Sequence, residues 1–193
     1  MIDPTAEDIG RKVVYTKGPS IEVGTIKSFS DAWVFVRYHE GDTAAATSRK
    51  DLDWFEETRN LTWLDVESYC YELANIVRSR KWEFDSIYAI TRGGLFPALM
   101  LSHLLHIKLV DTICISSYQE TEKHAISAIK LAEPGKDALI VDDISDTGDT
   151  LAYLRRSCNC KMMTIIAKPA GAHLASAYAR LVPQETWVNF PWE

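Results

Sequence analysis

No apolar run in this 193-residue chain approaches the roughly 20 residues that a membrane-spanning helix needs. The opening Met1-Ile-Asp-Pro-Thr-Ala-Glu-Asp8 lacks the basic and apolar regions of a signal peptide, so a cytoplasmic location is expected. Positive charge is also in deficit, with 21 Lys/Arg against 27 Asp/Glu. Residues 1–58 hold seven against eleven and the remainder fourteen against sixteen. Neither part carries the basic footprint of a nucleic-acid binder. Cysteine is sparse: Cys70, Cys114, Cys158 and Cys160 speak against a disulfide framework. Cys70 and Cys114 fall in expected core elements. Cys158-Asn-Cys160 has no matching Cys/His cluster and reads as a loop after a helix.

What is present divides in two. Residues 1–58 look like a small β-domain, an SH3-like barrel or a curled meander. Lys12–Tyr15, Glu22–Ile26 and Ala32–Tyr38 are rich in β-branched and aromatic residues and are separated by turn signals. Trp33, Phe35 and Trp54 are expected to form its core rather than line a groove. From residue 59 to 193 the pattern changes. Thr62-Trp-Leu-Asp65 resembles a capping box, and Val66, Tyr69, Cys70, Leu73, Ile76 and Val77 follow at helical spacing. Strands near Ser86–Ile90, Val110–Ile115, Leu139–Ile144 and Met163–Ala167 alternate with helices near 95–106 and 150–156. That alternation predicts an α/β domain with a mainly parallel sheet, whose ligands bind at the carboxyl ends of the strands.

The run Leu139-Ile-Val-Asp-Asp-Ile-Ser-Asp-Thr-Gly-Asp-Thr150 carries the most chemistry. Its apolar start reads as a strand buried on both faces. Asp142 and Asp143 stand at the strand's end, and Asp146 opens the turn Thr147-Gly148-Asp149-Thr150, which leads into a helix. Carboxylates able to chelate a metal or a ribose diol, beside a turn whose N–H groups and hydroxyls can cradle phosphate, describe a site for a phosphorylated sugar. A buried strand with an Asp-rich turn is the bland alternative; it gives no reason for so many like charges at one strand end.

Three more segments face the same edge or offer complementary chemistry. Thr91-Arg92-Gly93-Gly94 follows a strand, with glycines for close approach and an arginine for a phosphate. Lys168 follows the Met163–Ala167 strand and could donate to a carbonyl of a bound base; a surface lysine before a proline turn is the equal alternative. Trp187 offers a π face to a purine, while Phe190 and Trp192 read better as packed onto the core.

Together these residues resemble a known family. The apolar-apolar-Asp-Asp-apolar-x-Asp-Thr-Gly-x-Thr pattern is similar to the phosphoribosyl pyrophosphate (PRPP) motif of type I phosphoribosyltransferases. Ile90–Pro97, Val110–Tyr118, Thr164–Gly171 and Pro183–Trp187 through Trp192 resemble, in order and spacing, the bacterial xanthine-guanine phosphoribosyltransferases. The resemblance covers about residues 61–193 and leaves the β-domain outside.

The resemblance implies a type I phosphoribosyltransferase fold and transfer of a 5-phosphoribosyl group from PRPP to a 6-oxopurine, releasing pyrophosphate. It implies that Asp142 and Asp143 hold the ribose hydroxyls and Mg²⁺, and that Asp146, Thr147, Gly148, Asp149 and Thr150 cradle the 5′-phosphate. Arg92 and Gly93 would bind pyrophosphate. Asp146 would be the general acid/base at purine N7, Lys168 would read the 6-oxo group, Trp187 would stack and the Val188 carbonyl would read the base edge. Ser117 and Tyr118, with Lys123 and His124, would belong to a mobile loop over Ser116–Ala125. A homo-dimer or homo-tetramer is expected.

Three features depart from the family pattern. Asp149 takes the variable place in the phosphate turn, so its charge must point outward. His124 stands where arginine is usual, and the chain ends at Glu193. A non-catalytic PRPP or nucleotide sensor is the competing expectation. Retained Asp146, Lys168 and Trp187 argue for the enzyme, and the extra β-domain argues for the sensor. The residues do not rank guanine, xanthine and hypoxanthine, because lysine reads an oxygen that all three share.

Overall fold

Five short strands open the chain: β1 Lys12–Tyr15, β2 Glu22–Phe29, β3 Trp33–Arg37, β4 Ala45–Ser48 and β5 Leu52–Trp54. The computed structural model describes residues 1–17, 21–41, 43–120, 123–130 and 134–193, with the backbone alone over 116–120 and 123–130. The five strands pair antiparallel in the order β4-β3-β2-β1-β5. Both β4 and β5 are edges of this sheet, so the expected closed barrel is not what the pairing shows. Edge strands of four and three residues offer few ladder groups with which to close it.

The expected aromatic core of this unit is corrected for Trp33 and Phe35, while Trp54 packs against the core as expected. That core is aliphatic: Ile2, Val13, Ile26, Val34, Val36 and Leu52, with Tyr15, Phe29, Tyr38 and Trp54 packed around it. Strand alternation gives the reason. Val34 and Val36 take the inward face of β3, which turns Trp33 and Phe35 the other way and leaves Trp33 exposed.

The chain divides into two compact units, residues 1–59 with 185–189, and 60–184 with 190–193. A further two-stranded sheet pairs β6 Thr58–Asn60 with β13 Trp187–Asn189.

The second unit begins at α1 Trp63–Ser79, where the capping box forms as its residues suggest. The Asp65 amide donates to Thr62 Oγ1 at 3.2 Å, and the Thr62 amide donates to Asp65 Oδ2 at 2.8 Å. Val66, Tyr69, Cys70, Leu73, Ala74 and Val77 bury one helical face. Burial pushes the Cys70 thiol up to about 12, so it is a core residue rather than a nucleophile.

The remaining elements are β7 Ser86–Thr91, α2 Leu95–Leu105, β8 Leu109–Glu120, β9 Lys123–Lys130, β10 Ala138–Ser145, α3 Asp149–Arg155, β11 Lys161–Ala167, α4 Pro169–Ala172 and β12 Ala177–Leu181. The sheet runs β12-β11-β10-β7-β8-β9. All its pairs are parallel except the β8–β9 hairpin. The first five residues of β10 are buried without a break, as a strand covered on both faces requires.

The strand order decides where a ligand can bind. From β7 the chain steps through α2 to β8 on one side. From β10 it steps through α3 to β11 on the other. Right-handed crossovers in opposite directions place α2 and α3 on opposite faces of the sheet. On one of these faces, Leu151 and Leu154 of α3 pack with Ile90, Ile113, Ile140 and Met162. Between the carboxyl ends of β7 and β10 the chain therefore parts, opening the crevice that such sheets use for ligands. Thr91–Gly94 and Asp142–Asp146 emerge there.

Candidate active site

The end of β10 and the turn after it form a cavity of about 220 Å³, lined by residues 142–151. Asp142, Asp143 and Asp146 thus share one concave surface with Thr147, Gly148, Asp149 and Thr150. Gly148 sits at φ +88°, a conformation open to glycine, and a Cβ there would strike Leu174 Cδ1 at 2.5 Å. Exposed Asp149 accepts a hydrogen bond from the Thr147 hydroxyl at 2.8 Å. This contact holds its carboxylate beside the turn.

The loop after β7 closes on the same carboxylates. A Cβ on Gly93 would lie 2.0 Å from Asp143 Oδ2, so any other residue here would have to push that carboxylate aside. Arg92 at the loop's start is exposed to solvent.

Ionisation of the Asp142–Asp143 pair is opposed. Burial, and then the charge of Asp143, raise Asp142 well above the ordinary value of 3.8, although the Asp143 amide donates to it at 3.0 Å. Burial likewise raises Asp143, against a hydrogen bond from the Ile144 amide at 2.7 Å; the charge of Glu193 adds to the rise. Glu193 is thus within electrostatic reach of the site, a relation that nothing local in the sequence signals.

The sign of the linkage follows. Both folded-state values lie above the unfolded ones, so the folded chain holds protons that the unfolded chain releases. This contribution to stability is full below about pH 4 and is lost as pH rises through the raised values. Asp142→Asn is accordingly expected to raise the melting temperature of the ligand-free protein at neutral pH by about 2–6 °C. The gain should shrink toward pH 4, and thermal denaturation over that range reads it. A gain that grew on acidification would contradict the assignment.

Lys168 follows β11 and is drawn to the same place by backbone bonds. Its amide donates to Ser145 O at 2.9 Å, and the Ser145 hydroxyl donates to Gly171 O at 3.0 Å. A Cβ on Gly171 would fall within 2.8 Å of Ser145 Oγ, Ser145 O and Asp146 O. The turn at the start of α4 is therefore clamped against the end of β10. Lys168 Nζ donates to Asp146 Oδ2 at 2.8 Å, with the lysine side chain only 6% exposed and the aspartate 46% exposed. The surface-lysine alternative is excluded by that burial.

Gln184 completes the cluster. Its Nε2 donates to Asp146 Oδ1 at 2.7 Å, and its Oε1 accepts from the Ala170 amide at 3.0 Å. No local pattern pointed to it, since it stands 38 positions from Asp146.

Cavity walls and a buried lysine do not by themselves name a family; sequence likeness does. Residues 64–193 match the model of the phosphoribosyl transferase domain. The chain belongs to that family. Xanthine-guanine phosphoribosyltransferase of Vibrio atlanticus is 38% identical over 136 residues, covering 69% of this chain and 87% of its own length. The protein of the same name from Chromohalobacter salexigens is 34% identical over 148 residues, covering 74% and 88%. A purine phosphoribosyltransferase from Pyrococcus horikoshii superposes with a TM-score of 0.61 at 30% identity, covering 72% of this chain and 95% of that one. The expected phosphoribosyltransferase fold, a parallel sheet flanked by helices, is thereby established. The family match begins beyond the N-terminal sheet.

Other expected site residues fall elsewhere in the phosphoribosyltransferase chain. Trp187 and Val188 lie on β13 in the first unit, where the exposed Trp187 donates Nε1–H to Asn189 Oδ1 at 2.7 Å. Ser117 and Tyr118 fall on the backbone of β8, and Lys123 and His124 on that of β9. Their side chains, and residues 121–122 altogether, lie outside the described residues. Phe190 is buried, and Trp192 stacks on Phe190 and Phe96 at 4.9 and 5.2 Å, as a packed tail should.

A larger cavity of about 810 Å³ belongs to the first unit, with Tyr15, Trp33 and Tyr38 among its walls, and among the described residues no two adjacent carboxylates line it.

Proposed function

We propose that this phosphoribosyltransferase is a purine salvage enzyme that converts PRPP and a 6-oxopurine (guanine, xanthine or hypoxanthine) to the nucleoside 5′-monophosphate and pyrophosphate. A purine ring nitrogen forms a bond to C1 of the ribose as the bond from C1 to the pyrophosphate oxygen breaks. The observation that carries the reading is the meeting of Lys168 and Asp146 beside the carboxylates of the PRPP motif. A sensor of PRPP alone has no use for a buried donor next to that turn. The curated relatives, named as xanthine-guanine enzymes, support the same choice.

The roles are those the resemblance implies, and the closeness of Lys168 and Asp146 to the motif carboxylates supports them. Asp142 and Asp143 hold the ribose hydroxyls, the Asp146–Thr150 turn receives the 5′-phosphate, and Arg92 and Gly93 receive pyrophosphate. Lys168 Nζ donates to the 6-oxo group. Asp146 exchanges a proton with the purine N7 as charge shifts in the ring. The resemblance would give Trp187 the stacking role and the Val188 carbonyl the reading of the base edge. By the resemblance, Ser117, Tyr118, Lys123 and His124 would belong to a loop that shields the reacting ribose C1 from water.

Two adjacent carboxylates, Asp142 buried and Asp143 half-buried, whose ionisation is opposed fit a divalent cation. Mg²⁺ commonly takes only one or two carboxylates and completes its shell with water and substrate oxygens. Bound through Asp142 and Asp143, Mg²⁺ would neutralise the leaving pyrophosphate. Among the described residues no three acidic, histidine or cysteine side chains converge on one point. No helix of the described residues is long and apolar enough to cross a membrane. A cytoplasmic homo-dimer or homo-tetramer is the reading we carry forward.

Incubation with PRPP, Mg²⁺ and each 6-oxopurine in turn should release pyrophosphate with at least one base. Silence with all three would remove the enzyme and leave the sensor.

A further inference from the structure

The hydrogen bonds of Gln184 join two parts of the base site that are distant in sequence. Its Oε1 accepts from the Ala170 amide in the first turn of α4, and its Nε2 donates to Asp146 Oδ1. Chemistry fixes which end of the amide faces which partner. A backbone N–H can only donate and an ionised carboxylate can only accept, so no flipped orientation satisfies both. Asp146 is therefore gripped on both oxygens, with Gln184 at 2.7 Å on Oδ1 and Lys168 at 2.8 Å on Oδ2.

These two grips differ in what a substrate does to them. Lys168 is buried and bonds to Asp146 in the ligand-free molecule. On the proposed function, an arriving purine brings a carbonyl oxygen for Lys168 and a ring nitrogen for Asp146. Both groups must then loosen their hold on each other. A carboxylate released by its lysine could swing about its last side-chain bond, since such torsions are broad and shallow. The Gln184 amide faces the other oxygen and is anchored to backbone rather than to substrate. It holds Oδ1 while Oδ2 changes partner.

We propose that Gln184 is a positioning residue for the base step: it fixes the Asp146 carboxylate while Lys168 transfers its hydrogen bond from Asp146 to the purine. Gln184 acts through Asp146. The inference rests on the proposed purine transfer and adds to it a residue outside the PRPP motif and the base-reading set.

Two substitutions separate this role from a purely structural one. Glu is the same size as Gln and still accepts from the Ala170 amide, but ionised it offers Asp146 no donor and adds a like charge. Met fills the space and makes neither bond. If Gln184 merely secures the α4 turn, Q184E should behave as the unmodified chain and Q184M should lose stability. If it positions Asp146, both variants should lose about 10–100-fold in kcat and in kcat/KM for the purine, with Q184E at least as impaired as Q184M. The KM for PRPP should stay within about twofold in both, because Asp142, Asp143 and the Thr147–Thr150 part of the turn make no bond to Gln184.

Steady-state kinetics with each substrate varied, beside thermal denaturation, read all of this. Full turnover by Q184E overturns the proposal, and so does a loss shared equally by purine and PRPP. Should Q184E not fold, Q184M decides alone: normal purine kinetics overturn the proposal, and a loss confined to purine kinetics supports it. Absence of turnover in the unmodified chain overturns the purine-transfer reading and this inference with it. Turnover in the unmodified chain with unimpaired variants overturns this inference only.

Discussion

Asp146→Asn is expected to keep PRPP binding and to lower kcat by about 10²–10⁴-fold, the usual contribution of a positioned acid or base. Asparagine is nearly the same shape, but its one oxygen can accept from only one of Lys168 and Gln184, which grip different oxygens of Asp146, and its NH2 must face the other donor. It cannot exchange a proton with the base. A second loss follows from electrostatics. Lys168 is 6% exposed and its hydrogen-bond partner there is Asp146, so the substitution leaves a buried ammonium without its counter-charge. Uncompensated buried charge is costly, and it should appear as reduced stability and a raised KM for the purine. Isothermal titration with PRPP and Mg²⁺, run beside purine kinetics, separates these effects. A variant that turned over at the normal rate would remove Asp146 from the chemistry.

The second large effect concerns adjacent glycines that the fold uses differently. Gly94→Ala would place a Cβ 2.2 Å from Val141 O and 2.8 Å from Ile90 O. These are backbone atoms of β10 and β7 and cannot step aside without parting the two strands. A loss of several kcal/mol is expected, which for a domain of this size lowers the melting temperature by roughly 5–10 °C or prevents folding. Gly93→Ala meets instead the carboxylate of Asp143, with Oδ2 at 2.0 Å and Oδ1 at 2.5 Å. A side chain can rotate, so the protein should fold, but with Asp143 displaced from the ribose and metal position. PRPP affinity should fall at least tenfold while the melting temperature moves by only a few degrees. Thermal denaturation and PRPP titration of both variants test the contrast. If the two behaved alike, the close approach of the loop to Asp143 would have no functional meaning.

Those two glycines show where legibility in the sequence begins to fail. Gly93-Gly94 after a strand is readable as a close backbone approach, but not what is approached. The answer, Asp143 for one and the β10 backbone for the other, depends on β7 and β10 being neighbours in the sheet. The hydrophobic run of β10, the capping box at Thr62 and Asp65, and the apolar face of α1 were readable because each is a local pattern with a single period. Phe190 and Trp192 were readable as packing residues for a similar reason, since large apolar side chains at a chain end must find a surface. Trp33 and Phe35 went the other way. Bulk suggested a core, but alternation along β3 gave the inward positions to Val34 and Val36. In a half-buried strand the register outranks the size of the side chain.

The chemistry of the strand tip is written locally. Asp142, Asp143, Asp146 and the Thr147–Thr150 turn lie within nine positions, so one strand end and one turn bring them together in any fold that keeps that strand. Sequence alone therefore determined to which family the chain belongs, and which residues the proposed sugar-phosphate site draws on. Tertiary structure alone decided which groups hold Asp146. Lys168 and Gln184 arrive from 22 and 38 positions away. Their arrival rests on β11 lying beside β10 and β12 beside β11, and on the Gly171 turn clamped to Ser145. Contacts of that separation follow from strand order, and strand order is a property of the whole packed sheet rather than of any segment within it.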